Sequence, residues 1–213
     1  ESPVMHADLA ARYPELRSFR GVGLDDRTAT VRFDLTPAGY HAIVLSAGGT
    51  TLIDPYQPGD AVHHISYRAR DLDAAGIMDS IAADLLPGEL QATAPSGAGL
   101  ARAHAPLGDE INVFRAAIAA TGEVTVALGG TKQLGMAAIV TLVNRVNAIY
   151  ERDLAIRLVL VADNDDIVYT DPSTDPYTDG NGSALVSENQ SNLDTVIRAA
   201  NYDIGHVVSS PGG

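Results

Sequence analysis

The densest gathering of side chains able to do chemistry lies late in the chain: Asp163, Asn164, Asp165 and Asp166, then Asp171, Asp175, Asp179 and Asn181. Carboxylate and amide oxygens at this density suit a hard cation such as calcium, with Asp171, Asp175, Asp179 and Asn181 as candidate ligands. The spacing is not that of an EF-hand, and the same residue types, interleaved with Pro172, Pro176, Gly180 and Gly182, also make turns. A calcium loop and a solvated turn-forming loop both remain open. The six histidines, at 6, 41, 63, 64, 104 and 206, contain no H-E-x-x-H and no pair four residues apart, so no zinc-binding helix is encoded among them. His63 and His64 are neighbours in a strand-like run, where consecutive side chains point to opposite faces. Gly21-Val22-Gly23 lacks the third glycine of a dinucleotide loop, and neither a phosphate-binding loop nor a nucleophile elbow occurs. Cysteine is absent, which removes thiolate nucleophiles, thiolate metal ligands and disulfides. No catalytic residue is assigned within the chain.

The charge balance narrows the partners. With 27 acidic against 14 basic side chains the formal charge is -13, which repels phosphate backbones and anionic lipid, so neither nucleic acid nor a membrane is expected as a partner. The longest apolar runs are strand-sized. A chain of 213 residues at 46% hydrophobic content can build two small units, each with its own core. Glu1 to Met5 does not read as a signal peptide, and the natural start is expected upstream.

The elements that would position any site divide into two groups. Ala29–Phe33, Tyr40–Leu45, Thr50–Ile53 and Val62–Tyr67 predict four antiparallel strands in a meander, separated by turn residues at Thr36–Gly39, Ala47–Gly49 and Asp54–Asp60. Short helices are predicted over Ala7–Leu16 and Ala74–Leu86, the latter with Ile77, Ile81 and Leu85 on one face. Gly, Ala, Pro, Ser and Thr then dominate residues 87–110, the composition of a connector open to proteolysis. Beyond it, Val113–Ala119 predicts a strand, Leu134–Glu151 a long helix and Leu154–Val161 a second strand. Ile139, Leu142, Val143, Val146 and Ile149 give that helix one apolar stripe. A helix capped by Asn192 and burying Leu193, Val196 and Ile197 then leads to a third strand, Asp203–Val208. Three parallel strands with these helices would leave one sheet edge unpaired and one face poorly covered.

Ala137–Tyr150 followed by Asp153–Arg157 resembles the first long helix and second strand of reprolysin-like (M12B-type) metzincins of bacterial type. Glu188–Leu193 and Tyr202–Ser209 look like their approach to the third strand. Gly49–Tyr56 and His63–Arg68 are similar to the pro-regions of that family. The resemblance implies an α/β (α+β overall) chain in three parts: a small antiparallel β-rich pro-domain at 1–86, a connector at 87–110, and the N-terminal part of a metzincin-like βαβαβ three-layer catalytic domain at 111–213. It implies a secreted, extracellular zinc metalloendopeptidase made as a zymogen, acting on protein or peptide substrates and held latent by an intramolecular contact between pro-region and catalytic domain. The zinc ligands of H-E-x-x-H-x-x-G-x-x-H would follow Gly213, so no catalytic residue carries over and this stretch alone is expected to be inactive. Asp203 matches a calcium-ligating aspartate of some relatives, although Ala116 stands where they place the accompanying glutamate. Without a cysteine, latency would need another ligand, for which Asp25, Asp26 and the histidines are the candidates, or steric occupation of the cleft. The alternative is a non-enzymatic β-rich extracellular binding or adhesion module.

Overall fold

The computed structural model describes residues 1–72, 110–178 and 180–209. The predicted helix at 74–86, nearly all of the connector, His104 and Asp179 lie outside the described residues. After a short helix α1 (Ala7–Arg12), five strands follow in sequence order: β1 (Arg17–Val22), β2 (Thr30–Thr36), β3 (Gly39–Ser46), β4 (Gly49–Pro55) and β5 (His64–Arg68). They form one antiparallel meander. β1 is absent from the sequence expectation, because Arg17, Arg20 and Gly21 mask its alternation. The turn into β3 depends on Gly39, whose φ of +127° an L side chain rarely adopts and whose Cβ would sit 3.0 Å from Pro55.

Alternation along these strands gives the sheet two unlike faces. Arg32 and Asp34 of β2, with Ile43 and Leu45 of β3, turn to one side. On the other side Phe19 stacks on Phe33 at 4.9 Å, Phe33 meets Tyr40 at 5.8 Å, and Tyr40 meets His64 edge-on at 5.5 Å.

The second sheet is parallel, in the order β7-β6-β8, from β6 (Asn112–Ala120), β7 (Ile156–Leu160) and β8 (Ile204–Val208). Between β6 and β7 run α2 (Gly122–Ala127) and the long α3 (Lys132–Leu154); between β7 and β8 runs α4 (Gly182–Val196). Ala116, Ile118 and Ala120 of β6 pack with Met136, Ile139, Val140 and Val143 of α3. The intervening Ala117 and Ala119 pack with Leu185 and Leu193 of α4 and with Ile197. The two helices therefore cover opposite faces, so the expectation of a poorly covered face is corrected, and alanines on the central strand let both approach closely. The antiparallel sheet lies on the far side of α3, where Ile43 and Leu45 pack on Ala148. The layers run α4, parallel sheet, α3, antiparallel sheet.

Several boundaries differ from the sequence reading. α3 starts at Lys132, where Thr131 accepts from the Leu134 N–H at 3.2 Å, and ends where Ala155 takes the left-handed conformation at φ 53°. Leu142 and Ile149 stay 38% and 40% exposed, whereas Met136, Ala137, Val140, Asn144 and Asn147 are buried, because the helix is covered on two sides. α4 is capped by Asn181, which accepts from the Ala184 N–H at 3.1 Å, and Asn192 lies inside it. There Asn192 accepts from the Tyr169 hydroxyl at 2.7 Å and donates to the Tyr177 hydroxyl at 2.9 Å. Val196 is 37% exposed although Leu193 and Ile197 are buried as predicted.

The first residues of the chain join the second core. Met5 bridges Leu160 in parallel, and Val4, Met5, Leu9 and Leu16 are buried in the same cluster as Met136, Val140 and Leu160. β8 stands at the other end of the parallel sheet.

Candidate functional site

Of the candidate calcium ligands, the described Asp171, Asp175 and Asn181 are each engaged separately. Asp171 Oδ1 accepts from the Ser173 N–H at 2.9 Å and the Ser173 hydroxyl at 2.7 Å, closing a tight turn. Asp175 accepts from the Gly122 N–H at 2.6 Å through one oxygen and from the Tyr177 N–H at 3.1 Å through the other. That pairing ties the loop to the start of α2, where a Cβ on Gly122 would fall 2.4 Å from Pro172 N. Asn181 caps α4. Asp165 accepts from Arg12 at 2.6 Å and from the Tyr13 hydroxyl at 3.2 Å. Burial alone would raise its carboxyl pKa, but Arg12 outweighs that and holds it below the usual range.

Asp203 is likewise paired. Arg115 donates to its two oxygens from Nη2 at 2.7 Å and Nε at 3.1 Å, and the Arg115 backbone N–H adds a third bond at 2.8 Å. These bonds, the side-chain ones foremost, lower the Asp203 carboxyl pKa to about 2. Ala116, where the resemblance sought a glutamate, is buried in the central strand. Among the described residues, no three His, Cys, Asp or Glu side chains are gathered so as to hold a metal ion. Zinc has no fitting donor set there, and no zinc step passes through these residues. The histidines are dispersed: His6 caps α1, His63 contacts Asp60 at 3.1 Å, and His64 packs on Tyr40. Asp26, a latency candidate, bonds the Thr28 N–H and hydroxyl in a turn.

The polar groups the structure does assemble lie between the antiparallel sheet and α3. Arg32, 4% exposed, donates to Asn144 Oδ1 at 3.1 Å and to Glu151 Oε1 at 2.6 Å. Asp34, 1% exposed, accepts from the Thr141 hydroxyl at 2.7 Å and from Asn144 Nδ2 at 3.2 Å. Glu151 also accepts from Arg157 Nε, and Asp54 accepts from Arg145 and from the Tyr67 hydroxyl at 2.6 Å. His41 sits between two carboxylates, its Nδ1 3.4 Å from Asp34 and its Nε2 3.9 Å from Asp54. Desolvation pushes the Glu151 pKa upward, yet Arg157 and Arg32 together bring it below the usual range.

Sequence reading missed this network, although a signal existed. Arg32 and Asp34 share one face of β2 by period two, while Thr141, Asn144, Arg145, Ala148 and Glu151 recur at helical spacing along a second face of α3. Buried charges gain little net stability, because pairing only offsets their desolvation; here they fix one register of the sheet on the helix. The network links the antiparallel sheet to α3.

Residues 111–212 match the family model described as Metallo-peptidase family M12B, reprolysin-like. No curated protein and no solved structure gave a match. The matched span runs from the start of β6 past the end of β8, slightly under half of the chain. It supports a resemblance to metallopeptidases for the unit built on the parallel sheet.

Proposed function

We propose that the chain is the N-terminal portion of a secreted zinc-dependent metalloendopeptidase precursor. In this reading residues 1–86 are a pro-region, 87–110 a connector, and 111–213 the first part of the catalytic domain, whose zinc-binding helix follows in sequence. The observation that carries it is the family match over 111–212, which coincides with the strand–helix–strand–helix–strand order β6, α3, β7, α4, β8. Latency without a cysteine then rests on the docking of the antiparallel sheet on α3 through Arg32, Asp34 and Asp54. A full-length protein that includes the downstream sequence tests it, by zinc content and by hydrolysis of a protein substrate before and after a cut between residues 72 and 110. Bound zinc, with hydrolysis appearing once the N-terminal fragment has been removed from the cut protein, is expected; the absence of both zinc and hydrolysis after that removal would overturn the reading.

The row of rings Phe19, Phe33, Tyr40 and His64 on the outer face of the antiparallel sheet supports a second reading, a non-enzymatic binding module. Zinc-free full-length protein that retained an extracellular partner through this sheet would favour it.

A further inference from the structure

A parallel strand turns the N–H and C=O of alternate residues to the same side, so an edge strand carries orphan groups at every second position. On the side of β7 away from β6, those residues are Ile156 at its start, then Leu158 and Leu160. Leu158 is satisfied from within the second unit: Asn147 Nδ2 donates to its carbonyl at 2.8 Å and Asn147 Oδ1 accepts from its N–H at 2.7 Å. Leu160, fully buried, is satisfied from the other end of the chain. Its N–H donates to the Val4 carbonyl and its carbonyl accepts from the His6 N–H, both at 2.8 Å.

Side chains reinforce that backbone pairing. Val4 and Leu9 are 0% exposed, and Met5 and Leu16 are buried with them in the core beneath α3. At the end of α1, Arg12 donates to the Ala162 carbonyl and to Asp165, each at 2.6 Å. Strand, helix and terminal cation thus engage the edge of β7 and the loop that follows it.

We propose that residues 2–16 are an intramolecular ligand of the second unit, and that the β7 edge is a binding site for an extended apolar segment followed by a short helix ending in a basic residue. The two fragments made by cutting the chain between residues 72 and 110 then stay together as a one-to-one complex. Freeing the second unit requires withdrawal of this segment, which would orphan both polar groups of Leu160 in a buried position. Only the meaning of this as latency rests on the metallopeptidase reading.

The test places a specific protease site between residues 72 and 110 of the 213-residue chain, cuts the folded protein, and follows the fragments by native mass spectrometry and size exclusion. The fragments are expected to remain paired in native buffer and to part only in denaturant. Fragments that separate at once in native buffer would overturn the proposal. Leu9→Ala combined with Arg12→Ala should raise the dissociation constant on the order of 100-fold, from the loss of core packing and of a charged hydrogen bond. Unchanged retention in that variant would also overturn it, because the sheet face on α3 would then be the sole tether. Should the variant not fold, amide exchange at Leu160 in the cut wild-type protein decides: protection supports the proposal, and exchange at the solvent rate defeats it. A paired complex in a full-length protein without zinc would refute only the peptidase reading. Loose fragments with zinc-dependent hydrolysis would refute only this one.

Discussion

The two long sides of α3 bind in opposite ways. Toward the parallel sheet it presents Met136, Ile139, Val140 and Val143, packed against alanines and isoleucine of β6. Toward the antiparallel sheet it presents Thr141, Asn144, Arg145 and Glu151, which meet Arg32, Asp34 and Asp54. Apolar packing is non-directional and indifferent to pH, so it suits an attachment that is never undone. A buried ionic contact requires one register and responds to protonation. The difference separates a pH-indifferent core from a pH-dependent contact, within one helix.

Removing one partner from the ionic side should have the largest effect. Arg32→Ala strips Glu151 and Asn144 of a buried donor and is expected to cost about 3–5 kcal/mol, read from urea unfolding at neutral pH. Met136→Ala on the apolar side should cost about 2–5 kcal/mol, the same at pH 7 and pH 4, since no titrating group is touched. If its cost changed with pH, the comparison would fail.

Acid provides a sharper separation. Burial raises the Glu151 and Asp165 pKa values, but Arg157 with Arg32 and Arg12 respectively outweigh it, and both carboxyls titrate below their usual range. Their stabilisation is therefore complete above the unfolded carboxylate pKa of about 4 and is lost as pH falls below that through the depressed values. The unfolding midpoint should drop on acidification, and drop less in Arg32→Ala, where part of the linkage is already gone. The smallest effect is expected for Thr131→Ala, about 1 kcal/mol from the lost cap of α3, with no preference for either side.

The sequence made the periodic elements legible: β2 to β4 by alternation between turns, and β6, α3, β7 and β8 by apolar runs around one long helical stripe. Its likeness to reprolysin-like enzymes over 137–209 falls inside the family match at 111–212. What it hid were polar residues used inside. Arg32 and Asp34 stood out as nothing more than strand residues, because local pattern does not say which side of a strand meets a charged helix. The carboxylates of 163–181 left a calcium loop and a turn-forming loop both open, because composition does not distinguish an oxygen aimed at a cation from one closing a turn or tying down Gly122. α4 was displaced because Asn181 and Asn192 are equally good caps on paper, and only Leu185 packing beneath the sheet decides between them. The pairing of Val4 and His6 with Leu160 had no local signal at all.

That last pairing bears on how the chain is made. The meander β1 to β5 joins neighbours in sequence and can close as it leaves the ribosome, whereas Val4 to His6 must wait until Leu160 has been synthesised. Residues made before either sheet can dock only after β7 has been made. In the interval Val4, Met5 and Leu9 are exposed apolar side chains beside an unfinished sheet, and they are the surface a chaperone would meet on the nascent protein.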